Sequence, residues 1–242
     1  MARHPRLIFP DVALHIIQRG VDRRDCFVAD TDRLVYLTSL RQLATHKGCA
    51  LHAYCLMTNH VHLLVTPRDA ESCSSLMRDL GQRYVAYFNR RYARTGTLWE
   101  GRFRSCLVDS AAYVIACYRY IERNPVRAGM VPSPHAYPWS SYVANSGRAV
   151  DPALSPHAEY RALATTDAAR AQVYRDLCEE PDDPRFLEAI RDATNAGYAT
   201  LIGEELKARL AASVARPLER AKPGPRPARA HGSEPESLEL GL

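Results

Sequence analysis

The stretch "CALHAYCLMTNHVHLLVTP", residues 49–67, holds two largely apolar runs, 49–57 and 60–67, on either side of Thr58-Asn59. A short polar break between two strand-forming runs is the pattern of a β-hairpin. Side chains alternate across a strand, so His60 and His62 point to one face and Val61, Leu63 and Val65 to the other. The apolar set can then pack against helices while both imidazoles look out from the opposite, accessible side.

The neighbouring segments fit around that hairpin. "ALHIIQRG" (13–20) alternates, is β-branched at its centre and stops at Gly20, as a strand does. Asp30, Thr31 or Asp32 caps a helix in which Leu34, Leu37, Leu40 and Leu43 recur at helical spacing, and Gly48 ends it. A long helix over 74–94 places Leu76, Leu80, Tyr84 and Phe88 on one face. "FRSCLVDS" (103–110) reads as a fourth strand, and a helix over 111–123 stops at Asn124-Pro125. The order is strand, helix, strand, strand, helix, strand, helix. Its first six elements make a split β-α-β pattern, an α+β fold with one antiparallel sheet and two helices on one face. "YPWSSY" (137–142) reads as a turn anchored by Trp139 and two tyrosines. The chain then divides into a domain over 1–145, a helical extension over 146–214, and a tail over 215–242. That tail is rich in Arg and Pro, then acidic, and is expected to be disordered.

Composition narrows the function classes. Against 27 Asp and Glu stand 32 Lys and Arg, a formal charge of +5, so charge alone decides little. Arginine far outnumbers lysine, which suits bidentate phosphate contacts. The seven cysteines are odd in number and form no C-x-x-C pair, which argues against a zinc knuckle or a disulfide framework and for reduced thiols in a cytoplasm. The first twenty residues lack the apolar core of a signal peptide, and no stretch of about 18 apolar residues suits a membrane span.

Two patterns carry chemistry. Paired imidazoles suit a divalent metal, yet two ligands are too few for a catalytic site. Without a third the pair is simply two exposed histidines. In the helix "AAYVIACYRYIERN" (111–124), Val114, Tyr118 and Ile121 form the core stripe, which makes Tyr118 structural. Tyr113, Tyr120 and Asn124 share an adjacent face, with Tyr120 and Asn124 one turn, roughly 6 Å, apart. That pair reads either as a nucleophile beside an oxygen ligand or as a half-buried tyrosine above a helix-capping asparagine. Arg90, Arg91, Arg94, Arg102 and Arg104 flank "TGTLWEG", and Arg19, Arg23 and Arg24 follow the first strand. Both clusters are solvated loop edges or phosphate contacts, and Trp99 either stacks on a base or is buried.

The ordered set "HIIQRG" (15–20), "MTNHVHLLV" (57–65), "TLWEGRFRS" (97–105), "YIERNPVRAGMV" (120–131) and "YPWSSY" (137–142) resembles the REP-associated tyrosine transposases, single-tyrosine members of the HUH group. The resemblance spans roughly residues 5–145, and "VARPLERAKPGPRP" (214–227) is similar to the basic tail of longer members. It implies a ferredoxin-like core, His60 and His62 as metal ligands, Asn124 as the polar third ligand and Tyr120 as the nucleophile. It further implies magnesium or manganese as cofactor, and single-stranded or hairpin DNA as partner, contacted by the two arginine clusters. The chemistry implied is strand cleavage and transfer through a 5′-phosphotyrosine, by a monomer or homodimer in the cytoplasm at the nucleoid, with no membrane and no small-molecule substrate. The rival is a domesticated hairpin-binding protein without turnover. An RNA-binding module lacks its aromatic-rich strand here, and a metal hydrolase using water gives Tyr120 no role.

Overall fold

The computed structural model describes residues 6–197, 201–213 and 218. Strands β1 (Ala13–Arg19), β2 (Cys49–Leu56), β3 (His60–Pro67) and β4 (Arg104–Val108) form one antiparallel sheet in the order β2-β3-β1-β4. The β2–β3 hairpin closes where the Met57 amide donates to the His60 carbonyl at 2.9 Å. Helices α1 (Asp30–His46) and α2 (Ser72–Arg91) cover one face. There Leu14, Ile16, Leu63 and Val65 meet Leu40, Leu76, Leu80 and Tyr84, all fully buried. Each aliphatic side chain so buried contributes about 1.5–3 kcal/mol. The α+β split β-α-β architecture expected from the element order is therefore present.

Local details differ from the sequence reading. At α1 the capping group is Asp32, inside the first turn, whose carboxylate accepts from the Val28 and Ala29 amides at 2.9 Å each. Leu37, Leu40 and Leu43 face the core, but Leu34 is 55% exposed. The apolar stripe turns through Tyr36 instead, which is buried between Phe27 and Tyr84.

Helix α3 (Ala111–Glu122) crosses the other face, its first turn capped by the Ser110 hydroxyl. It runs into α4 (Asn124–Arg127), where Pro125 needs no amide donor. The "YPWSSY" turn docks on β2 as expected: Leu56 donates to the Trp139 carbonyl, Ser141 donates to the Tyr54 carbonyl, and Tyr137 and Tyr142 are buried. Then come α5 (Tyr142–Asn145), α6 (Ala158–Arg161), α7 (Asp167–Glu179), α8 (Pro184–Ala196) and α9 (Glu204–Ser213). Glu122 ties α5 and α7 to α3, accepting from Ser141 at 2.5 Å, Asn145 at 2.7 Å and Tyr174 at 2.5 Å.

The face carrying the histidines is thus not open. Alternation assigns side chains to faces but does not say what covers each face. Ala13, Ala53, Leu64, Cys106 and Val108 make this second face apolar too, and α3 and α8 bury it. Apart from Leu218, the tail over 215–242 lies outside the described residues. Among the described residues, no helix is long and apolar enough to cross a membrane.

Candidate active site

Strand register builds the site in rows. His62 pairs with Ile17, and Ile17 with Arg104, while Arg19 pairs with His60 one row further along. Directly paired residues share a face, so His60, His62, Arg19 and Arg104 all project toward α3. His15, opposite Leu64, stands diagonal to His62 on the same face. The His60 and His62 rings have centroids 5.0 Å apart, and His15 stacks on His62 at 5.2 Å. From α3, the Tyr120 ring meets His15 and His62 edge to face, at 5.5 and 5.6 Å. His15, His62 and Tyr120 are 1%, 2% and 6% exposed, whereas His60 is half-buried.

Burial keeps these imidazoles neutral. It lowers His15 to about 3, lowers His60 to about 4 with help from Arg19, and holds His62 well below the ordinary histidine range. Neutral imidazole is the form that binds metal. For His60 the tautomer follows from its neighbour. The Asn59 amide nitrogen donates to the Arg23 carbonyl at 2.9 Å, so its Oδ1 accepts from His60 Nδ1 at 2.6 Å. His60 Nε2 is left with a free lone pair, the usual arrangement around a ligating histidine.

Asn124 does what a capping asparagine does: its Nδ2 donates to the Tyr120 and Ile121 carbonyls at 3.0 and 3.4 Å. That contact uses the nitrogen and fixes the carboxamide, while its oxygen remains a possible ligand atom. Among the described residues no three His, Cys, Asp or Glu side chains cluster to hold a metal. A metal on His60 and His62 therefore needs an oxygen from another residue type, and an amide oxygen one helical turn from Tyr120 fits that requirement. Two neutral imidazoles and an amide oxygen form a donor set compatible with manganese and, less readily, magnesium.

The three tyrosines of α3 separate cleanly. Tyr118 is fully buried, with its hydroxyl accepting from the His157 amide at 3.1 Å, a packing role. Tyr113 stacks on Phe186 at 6.2 Å. Of the three, Tyr120 is the one that meets His15 and His62. Burial raises its phenol, and the positive charges of Arg127 and Arg191 pull it back down. The Arg127 guanidinium lies 4.6 Å from the Tyr120 ring centroid and also donates to the Tyr120 carbonyl. Asp182 holds it there at 3.0 Å.

Register brings only part of the two arginine clusters to this face. Arg19 and Arg104 lie in its rows, and Arg23 and Arg24 are exposed in the turn that Asn59 anchors. Arg104 is engaged by Asn195 Oδ1 at 2.8 Å. Arg90 and Arg91 end α2, which packs on the opposite face, and Arg91 sits 3.4 Å from the buried Asp32. Arg94 lies over the Phe88 ring at 5.5 Å, and Arg102 is exposed. Trp99 is buried against Tyr36 and Tyr84, so it packs the core and does not present a stacking surface.

Sequence reasoning missed His15, Arg127, Arg191 and Thr194. Alternation already placed His15 two residues from Ile17 on one face, but only the β3-β1-β4 order sets it beside His62. Arg127 stands in the quoted "YIERNPVRAGMV" frame, seven residues after Tyr120, whereas Arg191 and Thr194 of α8 carried no signal without the packing of the extension.

Residues 9–124 match the family model described as transposase IS200 like. A structure of a REP-associated tyrosine transposase bound to a REP hairpin aligns with a TM-score of 0.53 at 17% identity, over 65% of this chain and 92% of that one. At that identity the likeness is one of fold. A crystal structure described as a "putative transposase" from Deinococcus radiodurans R1 aligns at 22% identity over 47% of this chain and 91% of that one, with a TM-score of 0.36. No curated protein matches the chain.

Proposed function

We propose, on the premise that residues 9–124 belong to the IS200-like transposase family, that this chain cleaves and rejoins single-stranded DNA through Tyr120. The observation carrying the proposal is the convergence of Tyr120 on His62, with ring centroids 5.6 Å apart, beside the neighbouring His60.

Tyr120 is the nucleophile. The phenol gives up its proton and its oxygen forms a bond to phosphorus as the bond from phosphorus to the 3′ oxygen breaks; that oxygen takes up one proton, leaving a 5′-phosphotyrosine and a 3′-hydroxyl. One phosphodiester replaces another, so the 3′-hydroxyl of a second strand can reverse the step and rejoin DNA without ATP. Phenol is a weak nucleophile near neutral pH, and burial weakens it further. Arg127 and Arg191 act against that penalty by favouring the phenolate, and their charge suits a phosphate approaching the same oxygen. His60 and His62, through their Nε2 atoms, and Asn124, through its oxygen, would hold a divalent ion. When bound, such an ion supplies polarisation of the scissile phosphate and charge neutralisation at the leaving oxygen. Arg19, Arg23 and Arg24 offer phosphate contacts around this face, whereas Arg102 stands beside Arg78 and Gln82 of α2. The hairpin-bound neighbour makes palindromic DNA the first substrate to try.

The test is incubation with manganese and single-stranded oligonucleotides carrying a palindromic hairpin. A protein–DNA adduct stable to SDS is expected. Tight hairpin binding with no adduct at any metal concentration would instead identify a binding protein without turnover.

A further inference from the structure

Behind the candidate metal ligand His62 lies a chain of hydrogen bonds that ends in the C-terminal extension. His62 Nδ1 is 2.9 Å from His15 Nε2, and His15 Nδ1 is 2.8 Å from Thr194 Oγ1 on α8. All three groups are buried. The direction of the chain follows from its last member. Thr194 Oγ1 is 2.6 Å from the Ile190 carbonyl, one turn back on the same helix. A carbonyl only accepts, so the single hydroxyl proton is committed there. The Thr194 oxygen must then accept from His15 Nδ1–H. It also lies 3.2 Å from Cys106 Sγ, whose thiol is left as the donor in that contact.

A neutral imidazole carries one proton. With that proton on Nδ1, His15 presents a bare Nε2 to His62, and a neutral His62 must place its own proton on Nδ1 to donate to it. His62 Nε2 is thereby left as a lone pair, matching the tautomer that Asn59 imposes on His60. Had the Thr194 proton pointed at His15, every bond in the chain would reverse and His62 Nε2 would carry hydrogen.

We infer that Thr194 is a positioning residue of the active site: through His15 it holds His62 in the Nδ1–H tautomer, with Nε2 free to bind a divalent cation. The consequence for metal rests on the function proposed above; the tautomer itself does not. Thr194 lies outside residues 9–124, so helix α8 supplies part of the site to the matched domain. Two further contacts of α8 support that assignment. Arg191, one turn before Thr194, carries the charge acting on Tyr120, and Asn195 accepts from Arg104.

The experiment uses the full chain in wild-type, Thr194→Val and Thr194→Ser forms. The first readout is the histidine tautomer from long-range 1H–15N NMR without metal, and the second is Mn2+ affinity by calorimetry. Wild type and Thr194→Ser are expected to show His62 protonated on Nδ1. Thr194→Val removes the acceptor and shifts His62 toward protonation on Nε2, weakening Mn2+ binding about 10–100-fold. His62 protonated on Nε2 in wild type overturns the inference, and this measurement needs no variant to fold. So does a folded Thr194→Val protein with unchanged tautomer and unchanged Mn2+ affinity. A tautomer shift without Mn2+ binding in any form supports the relay and rejects the metal reading of the site.

Discussion

The Tyr120 ring stands edge-on to His62, with centroids 5.6 Å apart and planes at 84°. The contact joins the third helix to the central hairpin, some 60 residues earlier in the chain. It is made by ring carbons, whereas the proposed chemistry needs the phenol oxygen, and a single substitution separates the two. Tyr120→Phe keeps the ring against His15 and His62 and removes only the hydroxyl. Adduct formation should disappear, hairpin affinity should persist, and the thermal midpoint should move by no more than a few degrees. Tyr113→Phe should leave adduct formation intact. SDS gels of both variants with labelled hairpin DNA decide this, and an adduct that survives in Tyr120→Phe moves the nucleophile elsewhere.

His60 offers a gentler probe of metal dependence than His62, because it is half-buried and its Nδ1 is held by the adjacent Asn59. His60→Ala should abolish manganese-dependent cleavage while leaving the circular dichroism spectrum unchanged. Cleavage at the wild-type rate in excess chelator would refute a metal role for the pair.

The fold was legible where periodicity and punctuation agree. The 49–67 hairpin, the strand ending at Gly20 and the two long helices all carry alternation or helical spacing bounded by polar or glycine stops. Face assignment on β3 followed from alternation alone. What alternation cannot supply is the neighbour. His15 has the same periodicity as any residue of β1, and its contact with His62 exists only because β1 inserts between β3 and β4. The cover over the histidine face was illegible for the same reason: α8 is an ordinary amphipathic helix until Thr194 finds His15 and Asn195 finds Arg104. Leu34 failed for a different reason. Its spacing fits the stripe, but α1 is apolar over a wide arc and Tyr36 takes the inward position.

Two buried groups outside the site pull the pH dependence of stability in opposite directions. Burial raises Glu122 to about 7, against hydrogen bonds from Ser141, Tyr174 and Asn145. The native state then keeps a proton that the unfolded chain loses near pH 4.5. This contribution is complete below pH 4.5 and is lost as pH rises toward 7. Burial lowers His52 to about 4. Its Nδ1 donates to the Ser155 carbonyl at 2.5 Å, leaving Nε2 to accept from Thr66 at 2.8 Å. The stability it contributes above pH 6.5 is therefore lost as pH falls toward 4. Glu122→Gln should gain stability relative to wild type between pH 4.5 and 7.5, by on the order of 3 kcal/mol. Urea unfolding at the two ends of that range measures it, and a difference that stays flat would place Glu122 in the ordinary carboxylate range.

Gly20 closes β1 where no side chain fits. A Cβ there would sit 2.2 Å from the Arg24 carbonyl oxygen, while the Gly20 amide donates to the Asn59 carbonyl at 2.8 Å. The obstacle is backbone, so Gly20→Ala must push the 20–24 turn outward. That turn supplies the Arg23 carbonyl that orients Asn59, and through it His60. The expected cost is about 1–3 kcal/mol of stability, together with weaker Mn2+ binding. An unchanged denaturation midpoint would mean that the turn relaxes freely.

The arginines predict a graded response to salt. Arg23, Arg24 and Arg102 are exposed and make no ion pair among the described residues, so each is available to a phosphate. Neutralising one phosphate of a single strand contributes about 0.7 to the slope of log affinity against log salt. Alanine at any of the three should lower the slope by about that amount, and the triple variant by about three times as much. Arg91 is already committed to Asp32 and the Tyr92 hydroxyl, on the far face of the sheet. Arg91→Ala should leave the slope where it is. Salt titrations of hairpin affinity distinguish the two groups. Equal losses from Arg91 and Arg23, whose carbonyl is held by Asn59 beside His60, would mean that DNA lies along the end of α2 as well as on the histidine face.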